Sequence, residues 1–302
     1  MGITASPNWG GWLVAYFFIG GIAAGAYFIA GLIELIGSER DREMARGAYY
    51  LAFPLLVLCS IFLIADLHRP ERFWHMLIQS NTFWPMFKYW SPMSVGSWIL
   101  SAFGAASFVS FVDTLAEDGR LGLGRFGGWA RSLRLSPVGK LFAVLEMLAA
   151  YGLAAYTGVL LTATNVPFWS NTNLLGALFM ASAASTGIAA LLLLQHRTAS
   201  HESLAKLETA DSLAMGLELL IMIGFVISLG GLAGRFVTNP YGLVMLVGTG
   251  GLGLLLPLLL RLLAKPLGRN PAVVNALLVL IGGLLLRYGI LFAGESLTSR
   301  VG

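Results

Sequence analysis

The stretch that decides the fold is "TNLLGALFMASAASTGIAALLLLQ" at residues 172–195, which contains no charged residue. A run of at least 18 apolar residues can cross the hydrocarbon layer of a bilayer, about 30 Å thick, as an α-helix. The rest of the chain has the same character, because 57% of its 302 residues are hydrophobic and only 11% are charged. About 25% of the residues of a soluble domain are charged. The sequence therefore predicts an integral membrane protein.

Apolar runs of this length recur along the whole chain. Lipid offers the backbone no hydrogen-bond partners, so a spanning segment must be helical or belong to a closed barrel. The runs lack the alternating pattern of barrel strands. We therefore expect an all-α single transmembrane domain over residues 1–302, arranged as two four-helix bundles. Its eight helices are predicted at about 10–36, 47–66, 92–115, 138–163, 172–195, 211–233, 241–264 and 272–293.

The distribution of Lys and Arg predicts how these helices are oriented. Cytoplasmic connections carry an excess of basic residues. The segments after the first, third, fifth and seventh helices hold thirteen of the 19 basic residues. We therefore expect both termini on the non-cytoplasmic side, the 67–91 connection on the outer face and the Arg-rich 116–137 connection on the inner face. The inner connection is typical of an anchor to anionic headgroups, with a partner site as the alternative.

The few cysteines and histidines limit the redox groups that this protein can hold. Cys59 is the single cysteine, which excludes an internal disulfide and a self-contained thiolate-bound iron–sulfur cluster. A b-type haem normally needs two transmembrane histidines, but all four histidines fall at or beyond predicted helix ends. We therefore expect no haem and no metal in this chain. The four are His68, His75, His196 and His201.

Six ionisable residues are gathered in "DLHRPERFWHML" at 66–77, where the second helix ends. Such groups near the hydrocarbon edge are costly unless they are paired or used. Arg69 could simply neutralise Asp66. A carboxylate beside an imidazole, among aromatic rings, also suits a quinone site, where the quinone needs donors and the quinol needs proton acceptors. Asp66, Arg69 and His75 are therefore candidate quinone-binding residues, and the aromatics that follow them fit an interfacial belt.

Three charged residues lie deep within predicted helices, where partners are obligatory: Glu146, Glu218 and Arg287. Thr157 follows Glu146 on nearly the same helix face. This polar stripe fits static hydrogen bonding between helices, which we favour, or a proton route. The same buried charges, with glycine-interrupted helices, leave a secondary transporter or an ion-conducting bundle as an alternative function.

Three further acidic residues lie near the inner ends of predicted helices: Glu34, Asp113 and Asp211. We interpret them as solvated helix termini. If a proton route exists, Glu34 and Asp113 would extend it toward the inner face.

Several motifs, in this order along the chain, resemble one family of membrane proteins. They are "YFFIGGIAAGAYFIAG" at 16–31, "DLHRPERFWHML" with "SPMSVGSWIL" at 91–100, "AAYTGVLLTATNVPFW" at 154–169, "SAASTG" at 182–187 and "LLLRYGILFAG" at 284–294. The family is that of the polysulfide reductase membrane subunits, also known as NrfD/PsrC. The resemblance touches six of the eight predicted helices.

The resemblance implies a quinone- or quinol-reacting membrane anchor in the cytoplasmic membrane of a bacterium or archaeon, with menaquinone or ubiquinone as its redox partner. It also implies two partner subunits. One is a ferredoxin-like four-cluster iron–sulfur subunit on the outer face, and the other is a catalytic subunit, of the molybdopterin type.

The resemblance further implies a quinone site near the outer ends of the first four helices. Tyr156 matches the tyrosine of the fourth helix that reaches the quinone head, Asp66 matches the acidic end of the second helix, and His75 falls in the motif that follows. Tyr16 stands where some members have a histidine. Tyrosine keeps a hydrogen-bond donor there but removes a proton acceptor near neutral pH. Asp66 or His75 is therefore expected to accept the proton.

Overall fold

The computed structural model describes residues 9–38, 41–67, 69–120, 122, 124, 128, 132, 135–263 and 269–299. Within these ranges the chain is helical, and the only β-type pairing is an isolated bridge between Ile78 and Pro85. Eight helices in these ranges are long and apolar enough to cross a membrane. The predicted all-α architecture with eight spans is confirmed.

The eight spanning helices are numbered α1 to α8 in chain order. A 3₁₀ helix at Pro70–Met76 follows α2, and a short helix at Pro167–Ser170 follows α4. The bounds are α1 Gly11–Ile36, α2 Arg42–Ala65, α3 Pro92–Glu117, α4 Pro137–Thr162, α5 Leu174–Gln195, α6 His201–Ser228, α7 as Pro240–Leu243 with the π-helical Val244–Leu255 and Leu256–Leu263, and α8 Arg269–Ser299.

Serine caps fix the starts of three of these helices. The side chains of Ser91, Ser136 and Ser200 each accept a hydrogen bond from the backbone N–H three residues later, at the starts of α3, α4 and α6. Pro92 and Pro137 then occupy the first helical position, where a missing N–H costs nothing. Local sequence therefore sets where these spans begin.

The helices form two four-helix bundles, as predicted. Helices α1 to α4 contact one another in a ring, and so do α5 to α8. The two rings meet mainly along α1 and α5, with additional contacts of α4 with α5 and of α1 with α8. Helix α1 is therefore a wall of the first bundle and also the main partner of the second.

Glycine allows α1 and α5 to cross with their backbones in contact. A Cβ atom added to Gly25 would lie 1.8 Å from the carbonyl oxygen of Ala183, and one added to Gly187 would lie 2.3 Å from the backbone nitrogen of Ala26. No side chain fits at either position. Small residues of this kind allow membrane helices to approach closely.

The predicted starts of two helices are wrong. Helix α2 begins at Arg42 instead of 47, and α6 begins at His201 instead of 211. The prediction followed apolar runs, whereas the inner turns of both helices carry charges that neighbouring segments neutralise. Arg42 forms an ion pair with Glu34 of α1, and Lys206 of α6 pairs with Asp41 at 3.1 Å.

Asp41, between α1 and α2, links the inner edges of the two bundles. Its carboxylate accepts hydrogen bonds from the hydroxyls of Ser38 and Ser203 at 2.7 and 3.0 Å and from Lys206 Nζ at 3.1 Å. Burial alone would raise the pKa of Asp41, but the hydrogen bonds from Ser38, Lys206 and Ser203 outweigh it and lower the pKa to about 2. The carboxylate is therefore charged at neutral pH and holds the α1–α2 turn against α6.

Several residues on which the sequence predictions depend lie outside the described residues, including five of the basic residues used to predict the orientation. The orientation of the bundle in the membrane stays a prediction. Hereafter the end of the bundle that carries the 66–91 connection is named the outer end. The residues concerned are His68 and five basic residues of the predicted inner side, Arg40, Arg125, Arg131, Arg134 and Lys265.

Candidate functional site

A cavity of about 300 Å³ lies among the outer ends of α1, α2, α3 and α4. This volume is at the lower end of the range for small-molecule sites. Its wall is mostly apolar and includes Leu13, Leu63, Leu67, Met93 and Leu160. We name it the head cavity. It occupies the region where the sequence predicts a quinone site.

Three of the predicted site residues line the head cavity together. Tyr16 comes from α1, Asp66 follows the last turn of α2, and Tyr156 comes from α4. Both tyrosines are buried, with 2% and 9% of their surface exposed. In the described part of the chain, neither phenol hydroxyl and neither oxygen of the Asp66 carboxylate has a hydrogen-bond partner. Buried polar groups are normally hydrogen-bonded, so the two phenols are available to a ligand, and the half-buried Asp66 carboxylate faces the same cavity.

Helix α3 makes room for the Tyr156 ring through a glycine. A Cβ atom added to Gly96 would lie 1.9 Å from Tyr156 Cζ and 2.2 Å from its hydroxyl oxygen. The ring therefore rests directly on the backbone of α3. Gly96 and its neighbour Ser97 both line the head cavity. Sequence reasoning missed both, because nothing local marks a glycine that a distant ring will contact.

Asp66 lies where two helix ends meet. It is the C-cap of α2, and a Cβ atom added to Gly10, the N-cap of α1, would lie 4.0 Å from Asp66 Oδ1. The helix dipole disfavours a carboxylate at the C-terminus of its own helix but favours one at an N-terminus. The first turn of α1 has no acidic residue of its own, so Asp66 supplies that charge.

Trp9 closes one side of the head cavity and is held from the second bundle. Its backbone N–H donates a 2.6 Å hydrogen bond to Glu295 of α8, and its ring stacks on Trp169 at 5.2 Å between centroids. Trp169 Nε1 in turn donates to the carbonyl oxygen of Ile290 at 3.0 Å. The wall therefore depends on α8 as well as on α1 and α4. This dependence was missed, since it joins residues at opposite ends of the chain.

The structure does not bring Arg69 and His75 to the head cavity. Both are exposed at the 3₁₀ helix, and the ring of His75 packs edge-on against Trp74 at 3.9 Å. The next residue, Met76, lines the cavity instead. No ion pair between Arg69 and Asp66 is found among the described residues, so the interpretation that Arg69 neutralises Asp66 is wrong. Quinone binding by Arg69 and His75 stays a prediction without support from this geometry.

The interpretation of the three acidic residues near inner helix ends as solvated helix termini is wrong for Glu34 and Asp211, and it holds in part for Asp113, whose side chain is 24% exposed. Arg42 of α2 pairs with Glu34 and approaches Asp113 at 3.9 Å. Asp211 is fully buried and pairs with Arg261 of α7 at 2.6 Å. These carboxylates are neutralised by arginines from neighbouring helices, and sequence spacing gives no sign of such partners.

The buried charges of the two bundles belong to separate clusters. In the first bundle, Tyr27 donates to Ser110 at 2.7 Å and Ser110 donates to Glu146 at 3.0 Å. The hydroxyl of Thr157 donates to the carbonyl oxygen of Ala154 in its own helix at 2.7 Å. The polar stripe predicted on α4 therefore does not join Glu146 to Thr157.

The second cluster holds Glu218 and Arg287. Ser185 donates to Glu218 Oε2 at 2.5 Å. Arg287 donates to Ser182 Oγ at 3.0 Å and to the carbonyl oxygens of Phe17 and Gly283 at 3.0 and 2.7 Å. In the part of the chain that is described, the six residues predicted as a proton route do not form one hydrogen-bonded path. Glu146, Glu218 and Arg287 also do not surround one substrate path, so this geometry does not favour the transporter alternative.

Candidate metal ligands are scattered. Across the described ranges, no group of three or more His, Cys, Asp or Glu residues is placed to hold a metal ion. The single cysteine, Cys59, is buried behind the head cavity, with its Sγ atom 3.8 Å from the carbonyl oxygen of Tyr16.

Comparisons with known proteins agree with the motifs. A family model described as "Polysulphide reductase, NrfD" matches residues 3–298. A polysulfide reductase chain of Wolinella succinogenes is 29% identical over 308 residues, which cover 94% of each protein. Protein NrfD of Escherichia coli is 26% identical over 313 residues, again 94% of each protein. A selenate reductase subunit of Mesobacillus selenatarsenatis is 29% identical over 96 residues, or 32% of this chain and 20% of that protein. The family match spans nearly the whole sequence, and the chain therefore belongs to the polysulphide reductase NrfD family.

Proposed function

We propose that this chain is the membrane subunit of a respiratory oxidoreductase complex and that it binds quinone or quinol in the head cavity. Its similarity to polysulfide and selenate reductase subunits supports the membrane-subunit role. The observation that carries the quinone assignment is the head cavity itself, where two phenols and a carboxylate without partners in the described chain line a mostly apolar pocket.

The three polar groups match the needs of a quinone head group. A quinone presents two carbonyl oxygens that accept hydrogen bonds, and its quinol presents two hydroxyls that donate them. The hydroxyls of Tyr16 and Tyr156 are donors for the carbonyls. The Asp66 carboxylate is an acceptor and can take up a proton that the quinol releases. Oxidation of the quinol releases two protons and two electrons, and the electrons leave through a partner.

The head cavity is well placed for such a partner. It lies beneath the 66–91 connection, whose Phe83, Trp84 and Tyr89 side chains are exposed. We propose that this outer surface binds an iron–sulfur subunit that passes electrons to a catalytic subunit of the molybdopterin type, in the cytoplasmic membrane of a bacterium. Aromatic residues are common both in protein interfaces and in interfacial belts.

Substitutions at two cavity residues test the quinone assignment. Tyr156→Phe removes one donor, and Asp66→Asn removes the proton acceptor while keeping its size. We expect Tyr156→Phe to raise the KM for quinol about tenfold, the effect of losing about 1.4 kcal/mol of binding. Asp66→Asn is expected to lower kcat about 100-fold, within the usual range for loss of a general base. The measurement is quinol-linked turnover of the purified complex.

Two matched variants serve as controls. Tyr151→Phe removes a hydroxyl from the same helix. The Tyr151 ring does not line the head cavity, and it stacks on Phe28 with 4.2 Å between the ring centroids. Glu202→Gln removes a carboxylate from the exposed first turn of α6, at the opposite end of the bundle. Neither should change turnover by more than about twofold. Wild-type turnover in Tyr156→Phe and Asp66→Asn together would refute the proposal.

A further inference from the structure

A second cavity of about 290 Å³ lies between α2 and α3, below the 3₁₀ helix. We name it the tail groove. On α2 it extends from Phe53 to Ile64, which is about 16 Å at a rise of 1.5 Å per residue. On α3 it extends from Ser97 to Ala105. It therefore runs from the outer end of the first bundle toward the middle of the membrane.

The tail groove adjoins the head cavity. Four residues line both of them: Leu63 of α2, Leu67 just after the end of α2, Met76 of the 3₁₀ helix, and Ser97 of α3. At these shared side chains, a molecule whose polar end lies beside Tyr156 and Asp66 would extend into the groove.

The chemistry of the tail groove excludes a polar ligand. Its wall is aliphatic and aromatic apart from three serines, and each of these hydroxyls donates to a backbone carbonyl of its own helix. Ser60 donates to Leu56 at 3.0 Å, and Ser97 and Ser101 donate to Met93 and Ser97 at 2.8 Å each. The groove thus offers dispersion contacts and no free hydroxyl proton.

The tail groove is open to the lipid side of the bundle. Val57 and Phe73, which line it, are 44% and 46% exposed, and Ala105 is also exposed. On the α3 side, Gly104 has no side chain to fill the groove, and the space beside it is open, because a Cβ atom added there would meet no atom within 4 Å. A long flexible hydrocarbon could enter here sideways from the membrane.

We propose that the tail groove holds the isoprenoid tail of the quinone whose head group occupies the head cavity. This inference rests on the proposed function. The head cavity, at about 300 Å³, has room for a ring system but not for a long tail as well. The tail groove supplies an apolar extension that shares its wall with the head cavity and reaches lipid. Quinones would thus enter and leave between α2 and α3.

Filling the tail groove from Gly104 tests this path. Gly104→Leu places a side chain in the groove without a backbone clash, and leucine is a better helix former than glycine. The purified complex in nanodiscs would be assayed with two quinols that share a naphthoquinol head, one with a four-unit isoprenoid tail and one with a single methyl group. Each KM is compared with the wild-type value for the same quinol. Because partition of that quinol into lipid is the same in both assays, it does not affect the ratio of the two KM values.

We expect Gly104→Leu to raise the KM of the long-tailed quinol at least about tenfold and to leave that of the methyl quinol within about twofold. Gly216→Leu is the matched control, since Gly216 is an exposed helical glycine of α6 with no atom within 4 Å of an added Cβ. It should change neither KM. In wild-type protein, a quinone with a photoreactive group at the end of its tail should label α2 and α3.

Other results would overturn the inference. If Gly104→Leu weakened both quinols equally, or neither, or if the photoreactive tail labelled other helices, the tail would lie elsewhere. If Gly104→Leu instead lost one copurifying phospholipid per protein molecule with unchanged quinol KM values, the groove would be a lipid site. If wild-type protein turned over neither quinol and was not labelled, the proposed function would fail and the inference with it.

Discussion

One site in the first bundle and one cluster in the second treat polar groups in opposite ways. In the first bundle, Tyr16, Asp66 and Tyr156 meet at a cavity and have no hydrogen-bond partner in the described chain. In the second bundle, Arg287 is buried but donates to a serine and to two carbonyl oxygens. A buried polar group that is satisfied within the protein contributes to structure, whereas one that faces a cavity without a partner is available to a ligand.

The comparison also separates two uses of glycine. Gly25 and Gly187, where α1 crosses α5, allow backbones to touch and so hold the bundles together. Gly96 and Gly104 of α3 leave space instead, the first for the Tyr156 ring and the second beside the tail groove. The same residue type therefore joins the bundles at one interface and opens the first bundle at another.

The largest expected effect follows from removing the guanidinium of the second bundle. Arg287→Met would remove three buried hydrogen bonds, to Ser182 Oγ and to the carbonyl oxygens of Phe17 and Gly283. Each buried hydrogen bond from a charged donor contributes about 1.5–3 kcal/mol. We expect a much lower Tm for the detergent-purified protein, measured by intrinsic fluorescence, while Arg72→Met in the exposed 3₁₀ helix should melt with the wild type.

Arg287→Met also tests whether the second cluster serves structure alone. Folded Arg287→Met protein should keep a quinol KM within about twofold of wild type, because Arg287 does not line the head cavity. If Arg287→Met melted with the wild type but had lost quinol turnover, the second cluster would be functional and the contrast between the bundles would be wrong.

A smaller effect is expected from Gly96→Ala in the first bundle. The new methyl group would lie within 2.2 Å of the Tyr156 hydroxyl, so the ring must move. Alanine favours a helix more than glycine does, so α3 itself should not be weakened. We expect the KM for quinol to rise about tenfold, or about 1.4 kcal/mol, with a Tm close to that of wild type.

Gly152→Ala of α4 is the matched control for Gly96→Ala, because its added Cβ would lie 3.9 Å from Ile99, an ordinary contact. It should leave the KM for quinol unchanged. An unchanged KM in Gly96→Ala would mean that the position of the Tyr156 ring does not matter for quinol binding. Tyr156 could then not be the main hydrogen-bond donor of the head cavity.

The fold could be predicted from the sequence because each spanning helix is encoded locally. A run of apolar residues longer than 18 has no stable alternative to a membrane helix. The starts of α2 and α6 were missed for a physical reason. Arg42 and Lys206 are charged, so a prediction from apolar runs excluded them, although both lie in helical turns where they pair with Glu34 and Asp41. These partners depend on packing, whereas the Ser200 cap of α6 is a local signal that the apolar runs do not include.

The candidate site could be predicted only in part. Tyr16, Asp66 and Tyr156 were found because a motif and an unusual charge marked them, and the structure brings all three to one cavity. Trp9 and Gly96 had no such mark. Their roles come from contacts with Trp169 and with Tyr156, which are 160 and 60 residues away in the sequence. Sequence patterns therefore identified the polar groups but not the walls that position them.

The smallest expected effect concerns the inner edge, where Asp41 joins the two bundles. Its pKa is lowered from 3.8 to about 2, so the charged carboxylate stabilises the folded state at pH values above about 4. That contribution is lost as the pH falls from about 4 through about 2. We therefore expect Asp41→Asn to lower the Tm by about 2 °C at pH 7. The difference from wild type should shrink below pH 4.

Thermal melts of both proteins at pH 7, 5, 3.5 and 2.5 would check this pH dependence. Glu202→Gln is the control, because Glu202 pairs with the same Lys206 at 3.2 Å but is mostly exposed, and exposed ion pairs contribute little. It should change the Tm less than Asp41→Asn at every pH. A Tm difference that stays constant from pH 7 to pH 2.5 would show that the charge of Asp41 does not contribute to stability and that Asp41→Asn acts through the shape of the side chain. The inner edge would then be joined by hydrogen bonds from Ser38 and Ser203 that need no charge, and it would resemble the neutral glycine contact between α1 and α5.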